Sequence, residues 1–313
     1  MRAALIDRFG GPDELYIGEA PMPEPAADEV VLKVLTAGTN PLDYKTRDGS
    51  SGLAKKLSAD DFPLILGREA CGVIESLGAG VSGFETGQTV FGMPALTHRA
   101  GSYADYVAMP VDCLAPVPAD ADPIVFGGTA LVLSTAITAA IDQGKVQAGE
   151  RVLVHGGSGG VGQLAVQLCR RAGADVWATA STANQDRLLE LGAHPIDYST
   201  QDFTQVSPKM DLIIDGSYFT TFEPSLDHLS EGGRIVVLPS LADLTPAQER
   251  GIEAHIPSFG PMPDRLAELA PDIASGALSI EVAAVLPLAQ VAEAHRRLET
   301  GHSRGKIVLD LRT

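Results

Sequence analysis

The chain has 313 residues, 45% of them hydrophobic, which is enough for one large domain or two ordinary ones. Its formal net charge of −17 argues against nucleic-acid binding, which needs a basic surface. Its three cysteines, Cys71, Cys113 and Cys169, are too scattered for a disulfide framework or a cysteine-rich zinc site. Because the N-terminus has no signal-peptide core, we expect a soluble, cytoplasmic protein.

The first 120 or so residues read as short β-like runs broken by glycine and proline, such as "EVVLKVLTAG" (29–38) and "YADYVAMP" (103–110). Strands without long helices between them predict an antiparallel or barrel-like domain. The uncharged run from Ile124 to Ile141 approaches membrane-spanning length, but its two glycines, one serine and three threonines favour a buried helix. We therefore predict no membrane partner.

From about residue 145 the pattern changes to alternating strands and helices. The strands are "RVLVHGG" (151–157), "DVWATAS" (175–181), "MDLIIDGS" (210–217) and "GRIVVLPS" (233–240). Alternation of this kind predicts an α/β domain, in which a parallel sheet carries helices on its faces. The last strand, "KIVLDL" (306–311), is expected to return to the first domain.

A GxGxxG motif follows the first of these strands and opens a helix. Gly157 allows a tight turn, Gly159 lets the backbone approach a pyrophosphate, and Gly162 lets helix and strand pack closely. A plain glycine-rich turn is the alternative, but strand, loop, helix and second strand occur in the order of a dinucleotide site. The predicted phosphate-binding set is Gly157, Ser158, Gly159, Gly160, Val161 and Gly162.

The end of the second strand favours NADP(H) over NAD(H). An NAD site places an acidic residue there to bind the ribose, whereas Asp175 lies at the start of this strand. Hydroxyl, amide and guanidinium donors follow instead, with no carboxylate before Asp186, and such donors can bind a 2′-phosphate. The alternative is a polar cap for the next helix. The candidate donors are Ser181, Thr182, Asn184 and Arg187.

Several segments together resemble the medium-chain dehydrogenase/reductase superfamily, in particular its zinc-free quinone oxidoreductase-like branch of enone and quinone reductases. They include "AGTNPLDYKTRDG" (37–49), "FPLILGREACGVIESLGAGVSGFETGQTVFG" (62–92), "VLVHGGSGGVGQLAVQL" (152–168) and "GHSRGKIVL" (301–309). The resemblance implies a GroES-like β-barrel catalytic domain (1–125 and 260–313) and a doubly wound Rossmann domain that binds NADP (126–259). It also implies a homodimer.

The resemblance argues against a catalytic metal. The superfamily's zinc alcohol dehydrogenases hold their metal at positions that match Asn40, Arg68 and Ser134 here. An amide, a guanidinium and a hydroxyl do not form a usual zinc ligand set, and Arg68 would repel a cation. The family's proton-relay hydroxyl is replaced by Leu42. No metal is therefore expected.

Without a metal, hydride transfer from NADPH needs an acceptor that stabilises its own negative charge, such as a quinone or an α,β-unsaturated carbonyl. Asn40, Lys45 and Arg68 are the candidate donors to the acceptor oxygen, and Tyr44 is a candidate proton donor. For Lys45 the alternative is a solvated surface lysine, and for Tyr44 a packed aromatic with solvent as the acid. Arg68 could instead form a buried ion pair with Glu69 or Asp43.

The resemblance also implies two cofactor contacts, Thr138 beside the nicotinamide and Tyr198 near the adenine and 2′-phosphate. His155 is expected to pack beneath the glycine loop. Loops 96–102 and 255–263 are expected to line the acceptor pocket. A competing function remains, that of an NADP-binding protein with a structural or regulatory role, because the superfamily includes non-catalytic members.

Overall fold

A computed structural model describes residues 1–98, 101–258, 260–301 and 303–313. The chain forms two compact units: unit 1 is Met1–Leu131 with Gly260–Thr313, and unit 2 is Val132–Phe259. Arg99, Ala100 and Phe259, which belong to the loops expected to line the acceptor pocket, lie outside the described residues.

Strands dominate the first 120 residues, and strands alternate with helices from about residue 150 onward. The strands are β1 (Arg2–Ile6), β2 (Tyr16–Glu19), β3 (Glu29–Gly38), β4 (Leu64–Ile65), β5 (Glu69–Leu77), β6 (Thr89–Gly92), β7 (Tyr106–Pro110), β8 (Leu114–Pro116), β9 (Arg151–His155), β10 (Asp175–Ala180), β11 (His194–Asp197), β12 (Met210–Asp215), β13 (Leu229–Val237), β14 (Glu253–His255), β15 (Val282–Pro287) and β16 (Lys306–Asp310). The helices are α1 (Pro41–Arg47), α2 (Pro123–Gly127), α3 (Ala130–Ile137), α4 (Gly160–Arg171), α5 (Gln185–Glu190), α6 (Phe203–Val206), α7 (Phe222–His228), α8 (Thr245–Glu249), α9 (Pro263–Ala274) and α10 (Val291–Glu299).

Unit 1 is built on a mainly antiparallel sheet, as its short glycine-punctuated strands predict. The strand order is β15-β16-β3-β5-β6-β8, and β7 pairs with β3 away from this path. The long strand β3 is the centre of this sheet, pairing with β5, β7 and β16. The pairing of Val308 with Gly38 confirms that the last strand returns to the first unit.

Unit 2 has a parallel sheet in the order β11-β10-β9-β12-β13-β14. In unit-2 sequence order this is 3-2-1-4-5-6, the doubly wound arrangement expected of a Rossmann domain. Its central strand β9 buries Val152, Leu153 and Val154 completely, because helices cover a sheet of this type on both faces. The carboxyl ends of β9, β10 and β12 therefore share one edge of the sheet.

The uncharged run 124–141 is not the single helix that its composition predicts. It divides into α2, α3 and a π-helical segment, Thr138–Asp142, with a break after Gly127. The break follows from a close approach to β3, since a Cβ on Gly127 would lie 2.3 Å from the Thr36 hydroxyl. None of the helices formed by the described residues combines the length and apolar character needed to cross a bilayer.

A buried ion pair joins the last strand to the rest of unit 1. The ammonium of Lys306, 3% exposed, donates to Glu69 Oε1 at 2.9 Å, to Asn40 Oδ1 at 2.6 Å and to the Thr39 carbonyl at 2.9 Å. These three bonds use all three hydrogens of the ammonium group. Glu69 Oε2 accepts a further bond of 2.8 Å from the amide of Leu131, near the start of α3.

Replacement of Lys306 by methionine should strongly destabilise the protein. The change leaves the completely buried Glu69 carboxylate without a counter-charge, and breaking such pairs costs about 3–5 kcal/mol of unfolding free energy. Urea unfolding of Lys306→Met measures this loss. Arg312→Gln is the matched control, because its ion pair with Asp310 is 40% exposed on the arginine side and is worth roughly 1 kcal/mol or less. Equal losses in the two variants would contradict the assignment.

A second buried cation in unit 1 determines the protonation state of a histidine. Arg47, in α1, pairs with Glu299, donates to the Gly10 carbonyl at 3.0 Å and lies 3.0 Å from His295 Nδ1. A guanidinium has no acceptor atom, so Nδ1 must accept this bond, and the ring is neutral with its proton on Nε2. Burial, reinforced by the charge of Arg47, lowers the pKa of His295 to about 3.

The unfolding free energy should therefore fall on acidification. His295 titrates near its usual pKa of 6.5 when unfolded and near 3 when folded, so its contribution is complete above pH 6.5 and is lost as pH falls toward 3. The expected slope is about 1 kcal/mol per pH unit. The His295→Asn variant keeps an acceptor for Arg47 without a titrating group. Its urea-unfolding profile between pH 4.5 and 7.5 should be flatter than wild type, and parallel profiles would refute the assignment.

Candidate functional site

The glycine turn between β9 and α4 is packed so closely that two of its glycines, Gly157 and Gly162, leave no room for a side chain. Gly156 has a φ of +73°, and the amide of Gly157 donates to the Thr179 carbonyl at 2.9 Å. A Cβ on Gly162 would lie 2.1 Å from the Gly156 carbonyl oxygen, and one on Gly157 would lie 2.7 Å from the Cβ of Ala178. The first amides of α4, a helix of 12 residues, have no intrahelical partner and can bind an anion.

Three of the predicted phosphate ligands meet beside this turn. The side-chain amide nitrogen of Asn184 lies 3.3 Å from the Ser158 hydroxyl and 3.2 Å from the Ser181 hydroxyl. Ser158 belongs to the turn, and Ser181 follows the last residue of β10. The fold thus gathers two hydroxyls and an amide, all neutral donors, where the ends of β9 and β10 adjoin. We call Ser158, Ser181 and Asn184 the donor cluster.

The other predicted ligands have different surroundings. Thr182 donates to the carboxylate of Asp197 at 2.6 Å, which lowers the pKa of Asp197. Arg187 bonds to Glu190 and to Gln163, each at 3.2 Å, and so links α5 to α4. Tyr198 is 54% exposed. The sequence has no carboxylate between the end of β10 and Asp186, but the fold brings one there. Asp197, at the end of β11, lies beside Ala180 at the end of β10.

Thr138 has a buried hydroxyl that remains unsatisfied. It begins the π-helical segment and is 3% exposed, and no partner for its Oγ1 is found within the described structure. Single π-helical turns within helices occur frequently at functional sites, and a buried polar atom without a partner is rare. Together with the glycine turn, this hydroxyl fits a unit that binds a dinucleotide.

His155 has the packing role that its position predicts. It is 1% exposed, its two ring nitrogens lie 3.2 Å from the Thr179 hydroxyl and 3.1 Å from the Ser225 hydroxyl, and its ring contacts Phe203 edge-on. Burial lowers its pKa to about 4, so the ring is neutral at physiological pH. The imidazole supports the strand beneath the turn.

In unit 1, helix α1 carries three candidate residues at or near its start. Asn40 precedes the helix and is almost completely buried; its amide group bonds to Glu69 at 2.8 Å and to Lys306 at 2.6 Å. Asp43 accepts hydrogen bonds from the backbone N–H of Asn40 at 2.8 Å and from the Tyr103 hydroxyl at 2.9 Å. Burial raises the pKa of Asp43 to about 6. The start of α1 is thus held by buried polar contacts.

The next two residues of α1 are more accessible. Lys45 is exposed, in agreement with a lysine free to meet a ligand or simply to be solvated. Tyr44 is half-buried, and this burial raises its pKa above the ordinary value of 10, so the phenol keeps its proton at neutral pH. The buried contacts of Asn40 and Asp43 therefore fix the start of a helix that carries a cationic side chain, Lys45, and a proton-bearing one, Tyr44.

Arg68 does not form the buried ion pair with Glu69 or Asp43 that its sequence neighbours suggest. Its guanidinium donates to the carbonyls of His98 and Ala95, both at 2.7 Å, and to that of Pro94 at 3.5 Å. Glu69 bonds to Lys306 instead, at 2.9 Å. Arg68 is 8% exposed.

Three residues of these surroundings escape the sequence analysis. Lys306 and Glu69 form the ion pair that holds Asn40, and Asp197 binds Thr182. Asp197 is the last residue of β11 and directly precedes the predicted site residue Tyr198, so its position in the sequence could have marked it as a residue of this site. Nothing in the sequence pairs Lys306 with Glu69, which are 237 residues apart.

The positions that match the zinc ligands hold no metal-binding constellation. The polar groups of Asn40 and Arg68 are engaged in hydrogen bonds, and Ser134 is buried in α3. Within the described ranges, no group of three or more histidine, cysteine, aspartate or glutamate side chains is arranged to hold a metal ion.

Comparisons with known proteins match both units. The alcohol dehydrogenase GroES-like domain matches residues 26–119, and the zinc-binding dehydrogenase domain matches residues 191–309. The chain is 31% identical to the chloroplastic NADPH-dependent alkenal/one oxidoreductase of Arabidopsis thaliana, over 99% of this chain and 79% of that protein. It is 30% identical to the quinone oxidoreductase of Homo sapiens, over 99% of this chain and 97% of that protein.

Solved structures agree with these relatives. The quinone oxidoreductase from Coxiella burnetii superposes with a TM-score of 0.95 at 33% identity, covering 99% of both chains. Escherichia coli quinone oxidoreductase complexed with NADPH gives 0.86 at 25% identity, covering 99% of this chain and 100% of that one. An NAD-dependent alcohol dehydrogenase gives 0.87 at 28% identity with the same coverage. The GroES-like and Rossmann folds are confirmed, and the chain belongs to the medium-chain dehydrogenase/reductase superfamily, among its quinone oxidoreductase-like and alkenal/one reductase-like members.

Proposed function

We propose that this protein is a zinc-independent oxidoreductase that uses NADPH to reduce a quinone or an α,β-unsaturated carbonyl compound. The observation that carries the proposal is the tightly packed glycine turn, with no room for a Cβ at Gly157 or Gly162, and the donor cluster beside it. The acceptor class rests on the quinone oxidoreductase and alkenal/one oxidoreductase relatives.

The residues of unit 2 fit the cofactor. The amides of Gly157–Gly162 would bind the pyrophosphate, and the donor cluster would bind the 2′-phosphate, to which neutral N–H and O–H donors offer hydrogen bonds. The unsatisfied Thr138 hydroxyl would accept or donate a bond at the nicotinamide end. Tyr198 is exposed enough to contact the adenine. Arg187 supports α5 through Glu190 and Gln163. Bound NADPH would supply a hydride to the acceptor.

The residues of unit 1 would stabilise the acceptor. Reduction of a conjugated carbonyl places negative charge on its oxygen, and a positioned donor there lowers the barrier by about 3 kcal/mol. We assign this role to Lys45, the cationic candidate that is exposed, because the guanidinium of Arg68 is bonded to the carbonyls of Ala95 and His98. Asn40 would act by holding the start of α1, because Glu69 and Lys306 occupy its amide group. Tyr44, protonated at neutral pH, can give a proton to the carbon that becomes a carbanion.

Zinc independence follows from the chemistry of the residues at the positions that match the zinc ligands of the alcohol dehydrogenases. Arg68 is a buried cation that would repel a metal ion, and the Asn40 amide is already bonded to an ammonium. We also propose a homodimer and a cytoplasmic location. The alternative, a nucleotide-binding protein without catalysis, is favoured by one observation, the solvent exposure of Lys45.

The reaction and the role of Lys45 can be tested in one assay. Purified protein should oxidise NADPH when given 1,4-benzoquinone or but-3-en-2-one. Lys45→Met should lower kcat on the order of 100-fold while leaving NADPH affinity nearly unchanged, because the ammonium acts on charge that develops at the acceptor. Lys55→Met, another exposed lysine, is the control and should retain full turnover. If the protein binds NADPH but neither acceptor oxidises it, the proposed enzymatic activity is excluded. If kcat is unchanged in Lys45→Met, the role of Lys45 is excluded.

The cofactor preference depends on the donor cluster. Wild-type protein should bind NADPH at least about tenfold more tightly than NADH, a free-energy difference of about 1.4 kcal/mol. Asn184→Asp keeps the shape of the side chain but sets a carboxylate against the 2′-phosphate, so it should weaken NADPH binding and leave NADH binding nearly unchanged. Fluorescence titration of both nucleotides measures this. Asn184→Ala removes the amide donor without adding a carboxylate, so its NADPH affinity shows how much of the effect comes from losing the donor and how much from charge repulsion. Equal affinities for NADPH and NADH in the wild type would refute the preference.

A further inference from the structure

The described residues include three buried cationic side chains, and two of them have carboxylate partners. Lys306 pairs with Glu69, and Arg47 pairs with Glu299. Arg68, 8% exposed, has no carboxylate within ion-pair distance in the described structure. A buried charge without a counter-charge is expensive, and proteins therefore almost always pair buried arginines. In a chain with 40 acidic residues, the exception calls for a physical explanation.

The contacts of Arg68 engage its two terminal nitrogens but bring no negative charge to it. Its two terminal nitrogens donate to the carbonyls of Pro94, Ala95 and His98, while Nε is buried without a bonded partner. Neutral carbonyls bind a guanidinium more weakly than a carboxylate, which adds Coulomb attraction and can accept two parallel bonds. The carbonyls belong to a loop whose residues Leu96 and Thr97 are exposed.

Neither neighbouring acid, Glu69 or Asp43, forms an ion pair with Arg68. Glu69 is committed to Lys306 and Asn40, and Asp43 to the Tyr103 hydroxyl and the backbone of Asn40. The charge of Asp43 attracts Arg68 from beyond ion-pair distance and opposes the lowering of its pKa by burial, but no carboxylate oxygen bonds to the guanidinium. The positive charge of Arg68 is therefore open to an anion from outside the chain.

We propose that the natural acceptor carries a carboxylate group, and that Arg68 is the residue that selects it. This inference rests on the proposed function and narrows its substrate class to anionic conjugated carbonyl compounds. An oxygen that becomes negative only during hydride transfer would leave the guanidinium uncompensated in the bound ground state, whereas a permanent carboxylate pairs with it from the moment of binding. Arg68 would exchange its bonds to the loop carbonyls for bidentate bonds to that group.

The test compares an acid with its neutral ester. In (E)-4-oxopent-2-enoate, a hydride from NADPH adds to one alkene carbon and a proton from Tyr44 or solvent to the other, giving 4-oxopentanoate and NADP. Wild-type protein should favour the acid over the methyl ester in kcat/KM by at least tenfold. Arg68→Gln should lower kcat/KM for the acid by roughly 10- to 100-fold and change that for the ester less than threefold. Comparing the acid-to-ester ratio between proteins cancels the unequal chemical reactivity of the two acceptors.

Controls separate charge from folding. Arg250→Gln removes one positive charge from a surface site and should leave the acid-to-ester ratio unchanged. Arg68→Lys keeps the charge and should restore part of the preference. No preference for the acid in the wild type, or an equal loss for both acceptors in Arg68→Gln, would overturn the proposal.

A binding measurement on the wild type covers the remaining outcomes. Calorimetric titration of the NADP-loaded protein should show 4-oxopentanoate binding at least tenfold more tightly than its methyl ester, whether or not Arg68→Gln folds. If neither acceptor is reduced but this preference appears, the proposed function fails and the anion site stands. If both acceptors are reduced and the product binds no better than its ester, the proposed function stands and the anion site fails.

Discussion

The buried ion pair between Lys306 and Glu69 is the interaction on which the organisation of unit 1 depends. It joins two strands that flank β3, because Lys306 begins β16 and Glu69 begins β5. It also holds the amide of Asn40 from both sides and binds the backbone near the start of α3. A single pair of opposite charges thus determines where α1 starts and which side chains that helix presents.

The two units treat charge in opposite ways. Unit 1 buries full charges, and it satisfies two of three buried cations with carboxylates. Unit 2 offers neutral groups at its nucleotide site, namely backbone amides, two hydroxyls and a side-chain amide. The latter arrangement would allow a protein with a net charge of −17 to bind the proposed polyanionic cofactor, since aligned N–H groups attract phosphate locally.

The periodic elements follow closely from the sequence, and the errors fall where two distant segments meet. Strand β3 occupies the run "EVVLKVLTAG" itself, because β-branched residues and a closing glycine define a strand locally. The run 124–141 fails as one helix, because β3 passes so close that Gly127 can carry no side chain. The alternative ion pair of Arg68 with Glu69 or Asp43 does not form, because Glu69 pairs with Lys306 from the far end of the chain and Arg68 bonds to loop carbonyls.

The sequence by itself determined the fold class, the superfamily and the glycine turn, because each is written in residues that are neighbours along the chain. Only the tertiary structure decided which side chains meet: Asn184 with Ser158 and Ser181, Thr182 with Asp197, and Lys306 with Glu69. The physical reason is that burial and ion pairing depend on distance in space. Segments as far apart as 237 residues share one buried ion pair, and no local pattern records that contact.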